Sequence, residues 1–144
     1  MFHVHVAAVP PLANKRLRPI VRADGKPGLV GRKVTSFQAP FGLLAKVQLR
    51  KAGLLGPLQG PLLAVVAWWT PRGDRDADSG LKDTLDALNK VAWQDDKQLV
   101  CSPPGFLFRG GPRTDVWVFG LEESRAWSEL QLSLVADACR ERVA

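Results

Sequence analysis

The sequence predicts an α/β (α+β) fold: a single small domain in which a mixed β-sheet of about four strands is packed by two to three helices. Three observations support this prediction. The 144 residues suit one domain. Strand-like and helix-like patterns alternate along the chain, with no internal repeat. Apolar residues make up 46% of the chain and charged residues 24%, which is enough to form a core.

The amino-terminal third predicts one strand and a long basic loop. Residues 2–6 alternate apolar and polar side chains, as a half-buried strand does. Residues 10–35 are rich in Pro, Gly, Lys and Arg. We therefore expect a loop there, with a turn at residues 24–25 and one short strand at 29–30.

The middle of the chain predicts two helices around a central strand. Helical spacing of apolar residues predicts a helix from about 41 to 53, ended by Gly53. The apolar run 61–71 is bounded by prolines and predicts a central strand. After a polar connection, a second helix is expected over 79–91. Its predicted buried stripe consists of Leu81, Leu85, Leu88 and either Val91 or Ala92.

The carboxyl-terminal part predicts a hairpin and a helix. Residues 97–101 predict a short strand, and 103–112 a loop rich in Gly and Pro. Residues 115–119 predict another strand, paired with 97–101 as a hairpin. The last element is a helix over about 122–142. Its apolar stripe consists of Trp127, Leu130, Leu134 and Ala138.

The charge is unevenly distributed along the chain. Residues 1–51 hold ten Lys and Arg and one acid, a net charge of +9, while residues 52–144 carry −3. Seven of the fourteen acids fall between Asp74 and Asp96. A cationic region beside an acidic cluster indicates a polyanion bound by the first and a metal ion bound by the second. The alternative is a solvated basic arm and an acidic helix face.

The composition excludes several classes of protein. Cys101 and Cys139 are too few for a disulfide framework and form no C-x-x-C pair of a zinc site. Because no Cys/His pairing is apparent, we expect buried thiols rather than nucleophiles. His3 and His5 interrupt the first apolar run, which argues against a signal peptide. The apolar stretch 54–69 is too short and too interrupted by Pro and Gly to span a bilayer. We therefore expect a soluble, cytoplasmic protein without a membrane partner.

Two acid pairs predict a metal site. Asp76 and Asp78 lie between an apolar strand and a helix, and in an extended segment their side chains point the same way. If residues 97–101 lie beside 61–71, Asp96 returns close to both carboxylates. Clustered carboxylates repel each other unless a divalent cation is bound, and hard oxygen ligands favour Mg²⁺, with Mn²⁺ as a substitute. Such an ion activates water for attack on phosphorus.

A lysine accompanies the acids. Lys82, one turn into the predicted helix, is placed to meet a phosphate or to stabilise developing charge. The same residues also fit a purely structural interpretation. In it, Asp78 caps the helix, Lys82 and Asp86 form a surface pair, and residues 95–96 form a turn.

The combined spacing is more specific than either acid pair. The pattern Asp76-x-Asp78-x-x-x-Lys82-x-x-x-Asp86-Ala-Leu88, followed by Trp93, Asp95-Asp96 and Gln98, resembles the RusA family of Holliday junction resolvases. Ser79 stands where that family usually has Asn, and the connection to the second acid pair is one residue shorter and lacks the usual Gly. The close match covers residues 74–98, and the order of elements agrees elsewhere.

The resemblance implies one RusA-like endonuclease domain over 1–144, with a basic loop at about 10–35 and a carboxyl-terminal helix at about 122–142. It implies catalytic roles for Asp76, Asp78, Lys82 and Asp96, and metal binding by Asp76, Asp78, Asp96 and the adjacent Asp95. The implied enzyme is a Mg-dependent crossover junction endodeoxyribonuclease. It would resolve four-way DNA junctions by paired symmetric nicks in recombination and repair, as a nucleoid-associated homodimer without an organic cofactor.

Other residues predict DNA contacts or remain ambiguous. Of the five tryptophans, only Trp93 is a candidate for DNA contact, and the rest are expected mostly in the core. His3 and His5 form a potential Zn or Ni pair without an evident third ligand, so we expect them to face solvent. Residues 109–113 fit a phosphate contact or a hairpin loop. The residues predicted to contact DNA phosphates are Lys15, Arg16, Arg18, Arg22, Arg32 and Lys33.

The implied dimer suits a junction of approximate twofold symmetry. We expect its interface at the carboxyl-terminal stripe or at residues 54–69. Two other interpretations come from different classes of protein. One is a non-catalytic junction-binding or DNA-binding protein that retains the fold, and the other is a structural or adaptor protein that uses a tryptophan-rich surface.

Overall fold

A computed structural model describes residues 1–10, 17–31, 35–71 and 80–143. Four of the strands form a mixed sheet and two form a separate hairpin, with three helices, so the predicted α+β fold is confirmed. The helices are α1 (Thr35–Lys51), α2 (Leu81–Leu88) and α3 (Ser124–Val143). The strands are β1 (Phe2–Val6), β2 (Leu17–Val21), β3 (Pro27–Gly31), β4 (Leu62–Thr70), β5 (Gly105–Arg109) and β6 (Arg113–Gly120).

The sheet has the strand order β1-β6-β4-β5. β6 pairs antiparallel with both β1 and β4, whereas β4 and β5 are parallel. The prediction that β6 forms a hairpin with residues 97–101 is therefore wrong, since its neighbours in the sheet are β1 and β4. β5 lies within the stretch predicted as a loop over 103–112, because its partner β4 is distant in the sequence.

The strand predicted over 97–101 is a short 3-10 turn at Asp96–Gln98 instead. Local hydrogen bonds explain the difference. The carboxylate of Asp95 accepts the backbone N–H of Lys97 at 2.9 Å and caps the turn. Only Leu99 keeps a strand-like contact, a single bridge to Leu62 at the beginning of β4.

β4 is buried on both faces of the sheet. Alternate side chains of a strand point to opposite faces. Leu62, Val66 and Trp68 join the core under α1 and α2, while Val65 and Ala67 join the smaller core under α3. The central strand predicted from the apolar run 61–71 is therefore confirmed.

The three helices match their predictions with shifted ends. α1 begins at Thr35 rather than near 41 and contains Pro40 in its second turn. Phe37 and Phe41 in this added part are both buried and contact each other with their ring centres 5.1 Å apart. Gly53, with φ of +81°, follows α1 as predicted. α2 ends at Leu88, three residues early. No helix in the described ranges is long and apolar enough to cross a membrane.

The predicted basic loop contains a hairpin of β2 and β3. A loop with one short strand was expected, so the prediction missed β2. The turn at residues 24–25 is confirmed, since Gly25 has φ of +76° and the side chain of Asp24 accepts the N–H of Lys26 at 3.1 Å.

The two surfaces expected to form a dimer interface pack mainly within the chain. The stripe on α3 covers the sheet, and most of the 54–69 stretch is β4 or packs on the core beside it. Leu55 is an exception at 94% exposure. Five further exposed apolar side chains lie on the outer faces of α1 and α3, namely Leu43, Leu44, Val47, Leu132 and Val135.

The contact between α1 and α2 depends on Gly42. A Cβ atom added there would lie 2.8 Å from the backbone oxygen of Ala87. Alanine is normally about 1 kcal/mol better than glycine inside a helix. We nevertheless expect Gly42→Ala to lower the free energy of unfolding by about 1–2 kcal/mol, because backbone must move. Urea unfolding followed by tryptophan fluorescence measures this.

Gly56→Ala is the matched control, since an added Cβ at Gly56 meets nothing within 4 Å. Its unfolding midpoint should stay within about 0.5 kcal/mol of wild type. A Gly42→Ala protein as stable as wild type would show that the two helices have room to separate.

Candidate functional site

Most of the predicted site residues lie outside the described ranges. This applies to Asp76 and Asp78, so their approach to Asp96 stays a prediction. It also applies to Lys15, Arg16, Arg32 and Lys33. Arg18 lies in β2, but its side chain is outside the described part, and Arg22 is exposed just after that strand.

The beginning of α2 is fixed tightly against the sheet, and this positions Lys82. A Cβ added to Gly80 would lie 2.4 Å from Pro10 and 3.4 Å from the indole of Trp68, so only glycine fits. Thr84 Oγ1 donates to the backbone oxygen of Gly80 at 2.9 Å and accepts from Trp68 Nε1 at 3.4 Å. Lys82 is exposed on this anchored first turn.

Asp83, beside Lys82, is a residue that the sequence reasoning missed. It is 2% exposed, and Gln38 of α1 donates to its Oδ1 at 3.4 Å. The predicted buried stripe of α2 is displaced by about one residue. Asp83, Thr84, Ala87 and Leu88 are buried, whereas Leu81 and Leu85 lie at the edge of the core. A buried acid in a first helical turn had no local signal in the sequence.

Asp95 and Gln98 organise the turn after α2. The Gln98 carbonyl oxygen accepts the backbone N–H groups of Gln94 at 2.7 Å and Asp95 at 3.1 Å. Its amide group donates to the backbone oxygens of Leu58 at 3.1 Å and Gly60 at 3.0 Å. Together with the capping carboxylate of Asp95, these bonds tie the turn to the chain before β4. The structural interpretation of residues 95–96 as a turn is confirmed.

Asp96 is held by a buried tryptophan. Trp93 Nε1 donates to Asp96 Oδ1 at 2.7 Å, and Trp93 has no exposed surface. The prediction that Trp93 contacts DNA is therefore wrong, because its ring is buried in the core. Asp96 is itself partly exposed, and no described residue bonds its second oxygen.

The structure places Lys82 and Asp96 near opposite ends of α2. Lys82 is in the first turn, which packs on Trp68, whereas Asp96 follows the last turn, in the segment that bridges Leu62. Trp68 and Leu62 are about 20 Å apart along β4. The predicted catalytic residues Lys82 and Asp96 are therefore well separated.

No group of three metal-ligating side chains is found among residues 1–10, 17–31, 35–71 and 80–143. A scan against protein-family models and a search of curated proteins return no match to the chain. The function is therefore inferred from the residues themselves.

The two cysteines are more accessible than expected, and three of the five tryptophans, including Trp127 on α3, are partly exposed. Cys101 and Cys139 are free thiols and both are exposed, so the prediction of buried thiols is wrong. Trp69 and Trp117 are partly exposed on the face of the sheet that α3 covers. Because side chains alternate along a strand, Trp69 and Trp117 point to the face of the sheet away from the larger core.

A second polar cluster lies on that same face, between β1 and β6. His3 Nε2 is 2.7 Å and His5 Nδ1 is 2.9 Å from Oδ1 of Asp115, which is 3% exposed. The two histidines thus share a buried carboxylate as their partner, which the sequence did not reveal. The pairing of His5 with Asp115 across the two strands places it there. In the sequence, the His-x-His alternation was the only indication of this cluster.

Asp115 stays ionised in spite of its burial. Burial raises the pKa of a carboxyl group. In Asp115 this effect is outweighed by hydrogen bonds from His3 and His5 and by the charge of Arg113, and the net result is a pKa below the ordinary 3.8. The ionised carboxylate therefore contributes to folding stability near neutral pH.

Asp96 is expected to be required for stability whatever its role in catalysis. Asp96→Ala leaves the indole N–H of Trp93 without its partner, and we expect a loss of about 1–3 kcal/mol in the free energy of unfolding. Asp96→Asn keeps an acceptor oxygen and should stay close to wild type. Urea denaturation compares the variants, with the exposed Asp86→Ala as control. Equal stability of Asp96→Ala and wild type would contradict this bond.

The pKa of Asp115 predicts an acid-dependent loss of stability. Because the folded-state pKa is lowered, the contribution is complete above the ordinary value of 3.8 and is lost as pH falls through the lowered pKa. We expect Asp115→Asn to be less stable than wild type at neutral pH and the difference to shrink at about pH 3. Urea unfolding across this range measures it, with Asp137→Asn as a surface control. A difference independent of pH would contradict the ionised state.

Proposed function

We propose that this protein is a Mg²⁺-dependent endonuclease that nicks four-way DNA junctions, as its resemblance to the RusA resolvases implies. One observation carries the proposal. The Asp76-x-Asp78 motif follows the end of the doubly buried β4, and the chain returns at Gly80 to an anchored helix that exposes Lys82 in its first turn. A rigid strand end followed by a rigid helix start is a suitable base for a catalytic loop.

The residues have distinct roles in this proposal. Asp76 and Asp78 would hold the ion, which supplies an activated water for in-line attack. Lys82 would bind the phosphate and stabilise the charge that develops on it. Asp96 could act as a further ligand through its second oxygen, which has no hydrogen-bond partner among the described residues, while Oδ1 accepts from Trp93. Asp95 caps a turn through its Oδ1, so the structure favours it less than Asp96 as a metal ligand.

Affinity for DNA would come from the basic amino-terminal third, including the hairpin of β2 and β3. Arg22 and Lys26 are exposed at the tip of this hairpin. Phosphate contacts provide affinity without sequence information, which suits recognition of a branched structure. Symmetric nicking requires two copies, so the active form would be a homodimer.

A non-catalytic DNA-binding protein with this fold is the second candidate. The separation of Lys82 from Asp96 along α2 favours it, because the second acid pair already has structural roles in the turn. The hairpin would then bind DNA, and the acids would only shape the turn and the loop.

Cleavage of synthetic four-way junctions in Mg²⁺ tests the proposal. Wild type should nick two opposed strands and leave 5′-phosphate ends. We expect Asp76→Asn to lose about 100-fold or more in rate, because it removes a charge that holds the ion. Denaturing gels of end-labelled junctions measure this, and Glu129→Gln, an exposed residue of α3, is the matched control.

Three outcomes separate the possibilities. Equal cleavage by Asp76→Asn and wild type would exclude the assigned site. Binding at low salt without cleavage by wild type would favour the non-catalytic candidate. Full cleavage by a stable Asp96→Asn protein would leave Asp96 with its Trp93 contact alone and remove it from the metal site.

A further inference from the structure

The polar cluster around Asp115 has features of an anion-binding site that the nuclease proposal does not use. It lies on the face of the sheet that α3 covers only in part. α3 packs across β5 and β4 and reaches β6. The side chains of His3 and His5 on β1, the strand beyond β6, remain 41% and 50% exposed.

The buried carboxylate fixes the orientation of both imidazoles. His3 presents Nε2 and His5 presents Nδ1 to the same oxygen of Asp115, so each ring directs its other nitrogen away from the carboxylate. His3 also stacks on Trp117, with 4.8 Å between the ring centres and 3° between the planes. The backbone of His5 is held by Gln48, which accepts its N–H at 2.9 Å and donates to its oxygen at 2.7 Å. The two rings are therefore held in place before any ligand arrives.

Arg113 is held beside them by two contacts. Its Nε lies 2.8 Å from Asp115 Oδ2, an ion pair without hydrogen-bond alignment, since neither atom has a hydrogen-bond partner. Its guanidinium carbon lies 3.5 Å from the ring centre of Trp69, a cation–π contact. The side chain is 41% exposed, and no described residue accepts from its Nη groups. A positioned guanidinium with unused donors is well suited to bind an oxyanion.

The charge of the cluster depends on the histidines. When both imidazoles are neutral, the positive charge of Arg113 and the negative charge of Asp115 cancel. Protonation of both rings gives a net charge of +2, which attracts an anionic phosphate group, and turns their outward nitrogens into donors. Histidine is the side chain that ordinarily changes charge between pH 5 and 8.

We propose that Arg113, His3 and His5 form a phosphate-binding site, oriented by Asp115, whose affinity increases as the histidines become protonated. The ligand is a phosphate group, either free or part of a nucleic-acid backbone. Of the other charged groups on these elements, the Met1 amino group pairs with Glu123 instead. Gln48 of α1 and the rings of Trp69 and Trp117 contribute no charge. The site does not depend on the nuclease proposal.

The chain contains only two histidines, so NMR signals of their rings report directly on this site. Inorganic phosphate is titrated into the full-length protein at pH 6 and at pH 8, with EDTA present and ionic strength held constant by chloride. We expect saturable shifts of both histidines at pH 6 and an affinity at least about tenfold lower at pH 8. A parallel titration uses a single-stranded homothymidine octamer.

Variants test the individual residues. Arg113→Lys keeps the charge but loses the planar fork, so the affinity should fall about tenfold. Arg125→Gln, a fully accessible arginine on α3 at 93% side-chain exposure, should leave the affinity unchanged. Asp76→Asn should also bind phosphate like wild type, which separates this site from the proposed nuclease site.

The two ligands distinguish the source of the phosphate. Shifts with inorganic phosphate alone assign the site to free phosphate or a phosphate monoester, and tighter binding of the octamer with the same shifts assigns it to a nucleic-acid backbone. The proposal is overturned if neither ligand produces saturable histidine shifts up to tens of millimolar. It is also overturned if the wild-type affinity is the same at pH 6 and pH 8.

Discussion

The burial of β4 on both faces is the constraint on which the rest of the structure depends. Helices have to cover the strand from two sides, so α1 and α2 occupy one face and α3 the other. Each of the largest side chains buried in this strand contributes about 1.5–3 kcal/mol through the removal of apolar surface from water. No position inside such a strand is available to a ligand. Among the described residues, Lys82 and Asp96 lie near opposite ends of this strand, and the histidine cluster lies on β1 and β6.

Only the second of the two acid pairs lies within the described residues. The first pair, Asp76 and Asp78, follows β4 in the sequence. The second pair lies in a turn beside the first residue of β4, where both carboxylates form hydrogen bonds that hold the turn together. A residue that is needed for folding can also serve in chemistry. In Asp96, Oδ1 holds Trp93 and the second oxygen has no hydrogen-bond partner among the described residues.

The fold could be predicted wherever a local pattern determines the structure. The alternation in β1, the apolar run of β4 and the stripe of α3 each report one buried face, and all three elements are present. β5 was missed because GFLFR between Pro and Gly has no distinctive pattern, and its pairing with β4 joins residues about 40 positions apart. The strand expected at 97–101 failed because a capping box is stronger locally than its apolar residues. The site was harder still, since the contacts of Asp115 connect residues 110 and 112 positions apart.

The bonds of Gln98 have a consequence for the way such motifs are recognised. Its side-chain amide meets four backbone groups and joins the turn to the segment before the central strand. Any chain that makes this turn gains from two acids and a glutamine at this spacing, whether or not it hydrolyses anything. A sequence motif that resembles a catalytic signature can thus be retained because it stabilises a turn. Searches based on such a motif will find proteins that share the turn as well as enzymes.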